Sequence, residues 1–376
     1  MEHSLKSSLN QRMVSFSPEI EALRGIAAIT VLLGHLYLII ILPSFLPTYS
    51  MNPPKSNFLN VLLGGLGDPQ PAVLLFFTIS GLVLGRQLRK ESITSLVDFL
   101  AYLVRRIFRL IPLMWFTTIM AYFLTTLVRE VSLKSLYHNL LLKDISLNLP
   151  LWSLKVELCC SFFFPFIFLI FQFGGKLYNA LLFVTLLLLT YFYREPVFLQ
   201  YLVFFHAGLI VERISINAPN ILSRSHALFL LIVAIIVMQF SPQFGFGPRQ
   251  WVGYNNWHTW MFPEIFACSF ILLFINAWSN SYVHGFLNLP FIRFLGKISF
   301  SIYLIHLPIL YLLIAKYPIA LNLTSLFSFL IIYFSLVIVI AAFMFHWIEK
   351  PSNKLGRKLG NFILNLKQQG GVLLPR

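Results

Sequence analysis

Polar residues interrupt this chain so seldom that it contains about ten apolar runs, most of them near the ~20 residues that cross a bilayer as a helix. They lie near residues 23–42, 69–86, 107–128, 152–172, 178–193, 197–213, 226–241, 260–279, 294–314 and 324–347. Hydrophobic residues make up 58% of the chain and charged residues 11%, which is too apolar for the surface of a soluble globular protein. The sequence therefore predicts an all-α fold, a polytopic transmembrane helical bundle of about ten spans.

The formal net charge of +15 is explained by the predicted topology. With the N-terminus in the cytoplasm, most of the 28 Lys and Arg residues fall on the cytoplasmic side, as the positive-inside rule requires. We predict that both termini are cytoplasmic, that the protein lies in a cell membrane (inner or plasma), and that its partner is the lipid bilayer rather than nucleic acid. The predicted organisation is a cytoplasmic N-terminal segment at 1–18, a membrane domain at 19–351 and a basic cytoplasmic tail at 352–376.

Two observations concern a signal peptide and the cysteines. The first apolar run is long and carries a histidine, so we expect a retained span rather than a cleaved signal peptide. The cysteines Cys159, Cys160 and Cys268 lie inside apolar runs. They predict neither a disulfide framework nor a metal site.

The first run carries an arginine and a histidine, Arg24 and His35, eleven positions apart. At about 100° per residue this spacing is within about 20° of three full turns, so both side chains lie on one helix face, roughly 16 Å apart along the axis. Ionisable groups are costly in lipid and normally face protein or a water-filled cavity. One interpretation is a functional pair. The other is an arginine that reaches the headgroups and a histidine that hydrogen-bonds a neighbouring helix.

Further ionisable side chains are predicted near the depth of His35. Counting from the span ends places Glu157 and His306 at a similar level, His206 nearer the midplane and Glu264 at the outer edge. A histidine beside a buried carboxylate is the usual general-base arrangement, because the carboxylate fixes the tautomer and stabilises the imidazolium. The pattern predicts a functional cavity in which Glu157 or another carboxylate orients His35.

Basic residues cluster at the predicted cytoplasmic ends of the second and third spans: Arg86, Arg89, Lys90, Arg105, Arg106 and Arg109. Arg106 and Arg109 stand three apart on a helix, so they lie on neighbouring positions of one face and fit bidentate phosphate binding. Positive-inside anchoring is the alternative. It is stronger for the residues of the second span than for Arg109, which already lies inside an apolar run.

Small polar side chains accompany these charges. Ser153 and Glu157 are four apart at the opening of the fourth span, so the hydroxyl is predicted to orient the carboxylate. Ser80-Gly81 in the second span indicates either close helix packing or a hydrogen-bond donor. Ser80, Ser153 and Tyr303 are candidate donors to a tetrahedral oxyanion, and the sequence does not select among them.

Six stretches, in order, resemble acyltransferase family 3, a group of integral-membrane acetyl- and acyltransferases that modify surface glycans and related molecules. They are Glu19-Ile-Glu-Ala-Leu-Arg24-Gly-Ile-Ala with His35; Phe76-Phe-Thr-Ile-Ser80-Gly81; Arg105-Arg106-Ile-Phe-Arg109-Leu-Ile-Pro112; Trp152-Ser153-Leu-Lys-Val-Glu157; Gly296-Lys-Ile-Ser299-Phe-Ser301-Ile-Tyr303-Leu-Ile-His306-Leu-Pro308; and Trp347-Ile-Glu349-Lys350-Pro351. Their fixed order over about residues 19–351 makes the resemblance specific.

The resemblance implies a cytosolic acyl-coenzyme A donor, acetyl-CoA being the simplest, acyl transfer to a hydroxyl of a glycan or other acceptor on the far side, and no permanently bound cofactor. The residues regarded as essential in that family correspond to Arg24, His35, Arg106 and Arg109. We expect Arg86 and Arg105 to extend the phosphate site and His306 to contact substrate. In this hypothesis His35 deprotonates the acceptor hydroxyl or relays the acyl group covalently.

Two other functions remain open at this point. A proton-coupled transporter or flippase would use the same histidines and Glu157, although we find no internal repeat of the kind common in transporters. A membrane scaffold would leave the intramembrane ionisable residues without a role. The aromatic segment 244–258 fits either sugar stacking or contact with the membrane interface.

Overall fold

The computed structural model describes residues 17–41, 67–192, 197–217, 224–240, 257–278, 281–317 and 323–372. Within these residues the secondary structure is helical and contains no strand, which confirms the predicted all-α fold. Most of the aromatic segment 244–258 lies outside the described residues, so its two interpretations stay open.

The helices of the first half of the chain are α1 (Pro18–Leu36), α2 (Gln70–Lys90), α3 (Leu96–Thr126), α4 (Leu133–Leu140), α5 (Leu151–Phe173), α6 (Lys176–Phe192) and α7 (Phe198–Asn217). The second half contains α8 (Arg224–Phe240), α9 (Trp257–Leu273), α10 (Ser281–Leu287), α11 (Pro290–Lys297), α12 (Ser299–Lys316), α13 (Leu323–Met344) and α14 (Lys350–Val372). Short π-helical turns continue α1, α9 and α13 at Tyr37–Ile41, Phe274–Trp278 and Phe345–Glu349.

Seven of these helical stretches are long and apolar enough to cross a membrane: Pro18–Ile41, Gln70–Lys90, Leu96–Thr126, Leu151–Phe173, Phe198–Ile216, Ser299–Lys316 and Thr324–Lys367. Each overlaps one predicted span. The other three predicted spans correspond to the shorter apolar helices Lys176–Thr190, Ser225–Phe240 and Pro263–Asn276. At 1.5 Å per residue a helix of about 16 residues covers only about 24 Å of a core about 30 Å thick. The protein is thus a multi-pass membrane protein, while ten as the number of spans and the side of the termini stay predictions.

The third span begins earlier than the sequence indicated, at Leu96 rather than near residue 107. Ser95 caps it, because its hydroxyl accepts a hydrogen bond from the backbone N–H of Asp98. The helix has 31 residues, which at 1.5 Å each is about 46 Å and exceeds the hydrocarbon thickness. Arg105, Arg106 and Arg109 therefore lie well inside one continuous helix rather than at its start.

The chain divides into two compact units. The first comprises the described residues of Met1–Lys90 and Phe166–Lys297, and the second those of Glu91–Pro165 and Ile298–Arg376. In the first unit α2 packs closely against α7 through two glycines. A Cβ on Gly81 would clash with the backbone of Phe205, and a Cβ on Gly208 with the backbone of Thr78. The packing interpretation of Ser80-Gly81 therefore holds for the glycine.

The second unit is built on α3, which packs against α14 and α12. Gly356 and Gly360 of α14 face Phe108 and Arg105 of α3, where any larger residue would meet side chains. The segment 352–372, predicted as a tail, is helical and lies against α3.

Candidate active site

His35 lies in the last turn of α1 and is half-buried. Its Nδ1 atom is 3.0 Å from the carbonyl oxygen of Val31, one turn earlier. A carbonyl oxygen only accepts hydrogen bonds, so Nδ1 carries the proton of the neutral ring and Nε2 holds the lone pair. The backbone thus fixes the tautomer that a general base or nucleophile requires.

A single α-helix carries both Arg24 and His35. Arg24 is half-buried and makes no hydrogen bond or ion pair with the residues that the structure describes. Arginine remains charged at any ordinary pH, so a cation without a hydrogen-bonded or ion-paired partner in the described residues lies on the same helix as the histidine.

The segment that carries Asp68 packs beside His35 in the first unit. Gly34, next to His35, packs directly on the segment that carries Asp68, since a Cβ on Gly34 would lie 2.7 Å from the carbonyl oxygen of Gly67. Asp68 is buried and accepts a hydrogen bond from the backbone N–H of Gln70 at 3.0 Å. The sequence reasoning missed Asp68, although its position directly before the second span is a signal that could have identified it.

The basic residues at the end of α2 have protein partners in the first unit. Arg86 donates to the Oδ1 atom of Asn276 at 2.6 Å. Arg89 holds the buried Glu212 with both branches of its fork, at 3.1 and 2.5 Å. Glu212 was not predicted, because the topology argument counted only basic residues. These contacts give Arg86 and Arg89 structural roles.

Arg106 and Glu157 form a salt bridge in the second unit, with the Nη2 atom of Arg106 2.9 Å from Oε1 of Glu157. Nη2 and Nε of the arginine also donate to the hydroxyl of Ser161, at 2.7 and 3.2 Å. Arg106 is only 5% exposed, and its Nη1 makes no hydrogen bond within the described part of the chain. Ser161 stands four positions after Glu157, so the i,i+4 spacing applied to Ser153 would also have found it.

The other arginines of α3 differ from Arg106. Arg105 pairs with Glu91 and donates to the side chain of Asn361 at 2.8 Å. Arg109 is half-buried one turn after Arg106. Arg105, Arg106 and Arg109, all predicted phosphate ligands, thus lie in the second unit but differ in their protein contacts and burial.

Ser153 contacts Tyr303 rather than Glu157, which differs from the expectation that it orients the carboxylate. Its hydroxyl oxygen is 2.7 Å from that of Tyr303 and 3.0 Å from the carbonyl oxygen of Pro150. Equal spacing along a helix does not decide between two partners, and here the tyrosine of α12 lies closer. Two of the predicted oxyanion donors therefore form one pair in the second unit, while Ser80 lies in the first.

His306 is fully buried in α12, and its Nδ1 donates to the carbonyl oxygen of Tyr303 at 2.7 Å. His206, in α7, is also fully buried, and neither ring nitrogen has a hydrogen-bond partner among the residues described. Rings of Phe171 and Phe183 surround it at centroid distances of 5.5 and 5.9 Å. The histidines therefore share a residue type but not a chemical environment. Within the same described residues, no group of histidine, cysteine and acidic side chains could hold a metal ion.

Comparison with known families decides what kind of protein contains this arrangement. The model of acyltransferase family 3, described as an acyltransferase domain, matches residues 17–346. The chain belongs to this family. The resemblance found in six short stretches is thereby confirmed, and the protein is an integral-membrane acyltransferase. Neither a curated protein nor a solved structure matches the chain.

Proposed function

We propose that this family 3 acyltransferase moves an acetyl or other short acyl group from cytosolic acyl-CoA to a hydroxyl of an extracytoplasmic or membrane-associated acceptor, such as a surface glycan in the cell membrane. The observation that carries the proposal is the hydrogen bond from Nδ1 of His35 to the carbonyl oxygen of Val31, because it fixes the tautomer in which Nε2 carries the lone pair.

Within the first unit, Arg24 is the proposed ligand of the donor's phosphates, since it makes no hydrogen bond or ion pair with the described residues. Within the second unit, Arg109, half-buried beside the apolar part of α3, and the Nη1 group of Arg106 are the candidates for phosphate binding, because Glu157 and Ser161 already occupy Nη2 and Nε of Arg106. Arg86 and Arg105 each make protein contacts in their own unit. The pantetheine arm of the donor then spans the roughly 16 Å from Arg24 to His35.

In the direct reaction, Nε2 of His35 takes the proton of the acceptor hydroxyl while its oxygen attacks the thioester carbonyl. The tetrahedral intermediate collapses with cleavage of the C–S bond, and the coenzyme A thiolate leaves with the proton from the imidazolium. Asp68 stabilises the imidazolium during this step, a role that its burial and its charge beside His35 support.

A covalent relay uses the same atoms in two steps. Nε2 attacks the thioester carbonyl, the C–S bond breaks, the coenzyme A thiolate leaves, and an acyl-imidazolium forms on His35 with Nδ1 still protonated. The acceptor hydroxyl then attacks this acyl group, its proton passes to solvent, and the neutral imidazole leaves, while the thiolate takes up a proton from solvent. The relay suits substrates that approach from opposite sides of a membrane, because donor and acceptor need not be bound together.

The test is donor dependence of the purified protein. Incubation with radiolabelled acetyl-CoA should give slow thioester hydrolysis or labelled enzyme, whereas a proton-coupled transporter or a scaffold gives neither. His35→Ala should lower the rate by about 10²- to 10⁴-fold, the usual contribution of a general base, and should leave the melting temperature nearly unchanged.

His346→Ala is the matched control. The Nδ1 atom of His346 lies 2.9 Å from the carbonyl oxygen of Ala342, so the control removes the same local hydrogen bond from an exposed histidine. It should retain the wild-type rate. Equal loss in the two variants, or full activity in His35→Ala, would remove the histidine from the mechanism.

A further inference from the structure

A cavity of about 330 Å³ lies entirely within the second unit. The end of α3, the segment before α5 and the middle of α12 form its walls. Leu307 and Pro308, the two residues that follow His306, line it directly. On the predicted topology α3 and α12 both run outward, so the cavity lies toward the extracytoplasmic ends of these helices.

Six of the twelve lining residues are leucine or valine, and four, Thr125, Arg129, Ser146 and Asn148, are polar or charged. Ligand sites typically have this composition, because apolar walls supply binding energy and a few polar atoms fix the orientation. At about 30 Å³ per non-hydrogen atom, taken from the volume of liquid water, the cavity holds about 11 such atoms. That is the size of one substituted six-membered ring. Tyr311 provides an aromatic surface at the wall.

The buried side chain of Asn148 is incompletely hydrogen-bonded. Its Nδ2 atom donates to the carbonyl oxygen of Leu304 at 2.9 Å, whereas its Oδ1 receives no hydrogen bond from the described residues. Asn148 is 1% exposed, and a buried acceptor without a donor is costly. A ligand hydroxyl would supply the donor. Because the oxygen lies just below the cavity surface, binding requires a small rotation of the amide.

Arg129 adds a positive charge to the lining. It is exposed and forms no ion pair within the described ranges of the chain. Arginine binds carboxylates and phosphates through charge-assisted hydrogen bonds, so an uncompensated guanidinium favours an anionic ligand.

We propose that this cavity binds the acceptor, and that the acceptor is an amphipathic, anionic alcohol: one ring-sized head with a hydroxyl and a negative charge, joined to an apolar remainder. Asn148 receives the hydroxyl, Arg129 binds the anion, and the leucine-lined wall covers the apolar part. The identification of the ligand as the acceptor rests on the acyl transfer proposed above. The proposal that the cavity binds such a ligand does not depend on it.

The test measures binding of two tritiated probes to the full-length protein in nanodiscs, with empty nanodiscs subtracted and no acetyl-CoA present. The probes are octyl β-D-glucuronide and octyl β-D-glucoside, which differ only in the carboxylate. The glucuronide should bind saturably and about tenfold more tightly, the effect of one charge-assisted hydrogen bond. Arg129→Gln should abolish this preference, and Leu312→Trp, which fills the cavity, should abolish binding of both probes.

Lys134→Gln is the control, because Lys134 is an exposed cation of the same unit outside the cavity lining. It should leave both affinities unchanged. Absence of saturable glucuronide binding, equal affinity for the two probes, or binding that survives both Arg129→Gln and Leu312→Trp would each overturn the proposal. Acetyl-CoA hydrolysis by the wild type without glycoside is measured separately, so failure of the acyltransferase proposal is distinguished from failure of this one.

Discussion

Each unit places a carboxylate near a nitrogen-containing side chain, but the two carboxylates have different neighbours. In the first unit Asp68 lies on the segment that packs beside His35, a side chain that is neutral or charged according to its proton. In the second unit Glu157 is bonded to Arg106, which is always charged. A carboxylate near a histidine stabilises the imidazolium when the ring gains a proton. A carboxylate bonded to an arginine balances a charge that is present at any ordinary pH. The comparison is consistent with the proposed proton chemistry at His35 and with charge compensation at Arg106.

Two of the arginine–glutamate pairs, Arg89–Glu212 and Arg106–Glu157, differ in their exposure to solvent. Arg89 holds Glu212 with its own side chain 42% exposed, while the side chain of Arg106 is 7% exposed. An exposed arginine keeps its hydration and can anchor the protein at the membrane surface. A buried arginine loses that hydration, and evolution retains such an expensive group mostly for function. Anchoring therefore explains Arg89 better than it explains Arg106.

The largest effect on stability is expected from Glu157→Gln. This change leaves a buried guanidinium without its counter-charge and should cost about 3–5 kcal/mol of unfolding free energy. Glu212→Gln is the matched control. It leaves Arg89 partly hydrated and should cost no more than about 1 kcal/mol. Unfolding in detergent followed by circular dichroism measures both, and equal costs would contradict the contrast between the two arginines.

A smaller effect, on rate rather than stability, is expected from Asp68→Asn. The amide can still accept the hydrogen bond from Gln70, but it cannot stabilise an imidazolium, so the rate should fall by about a hundredfold or more. Radiolabelled acetyl transfer or thioester hydrolysis measures the change, with Asp144→Asn as a surface control that keeps the wild-type rate. A normal rate in Asp68→Asn would return the orienting role to Glu157.

Gly81→Ala tests whether the packing of α2 on α7 keeps Glu212 beside Arg89. The new methyl group would meet the backbone of Phe205, which cannot rotate away, and overpacking of this kind costs about 1–3 kcal/mol. Gly285→Ala is the control, because a Cβ there meets nothing within 4 Å. The thermal midpoints of the two variants should differ clearly. Identical midpoints would mean that α2 and α7 are not tightly packed.

The smallest effect concerns Asp144, a carboxylate of the second unit outside the spans. Hydrogen bonds from the Ser146 hydroxyl, from the backbone N–H groups of Ser146 and Ile145 and from Asn139 lower its pKa below the usual value. A lowered pKa stabilises the fold at pH above the unfolded value of about 3.9, and this contribution is lost as pH falls through the folded value. Asp144→Asn should therefore cost less than about 1 kcal/mol at pH 7.

The difference in melting temperature between the wild type and Asp144→Asn should become smaller as the pH of the measurement is lowered. A deficit that persists unchanged in acid would show that the negative charge is not what matters at this position.

Much of the fold could be predicted because it depends on local patterns. Apolar runs predicted ten spans, of which seven coincide with helices long enough to cross a membrane, and the i to i+11 spacing predicted that one helix carries Arg24 and His35. The start of α3 was predicted too late in the chain. Its first turns precede the predicted span and are amphipathic rather than apolar, so the apolar window did not include them. Three further runs correspond to shorter apolar helices within the described residues.

Side-chain partners could not be predicted in the same way. The spacing of Ser153 and Glu157 fits a hydrogen bond, yet Ser153 contacts Tyr303, a residue 150 positions later in the chain. Glu157 was expected to orient His35, and that arrangement stays a prediction, while its observed partner is Arg106. Asp68, Glu212 and Asn276 gained importance only through contacts with other helices.

The sequence by itself determined that this chain lives in a membrane, that it is helical and that it belongs to an acyltransferase family, because hydrophobicity, helical period and ordered motifs are written in consecutive residues. Only the tertiary structure decided which acidic segment packs beside His35, which arginine is buried against a counter-charge, and where a cavity forms beside His306. Those properties depend on which helices pack together, and packing joins residues whose distance along the chain carries no information about their distance in space.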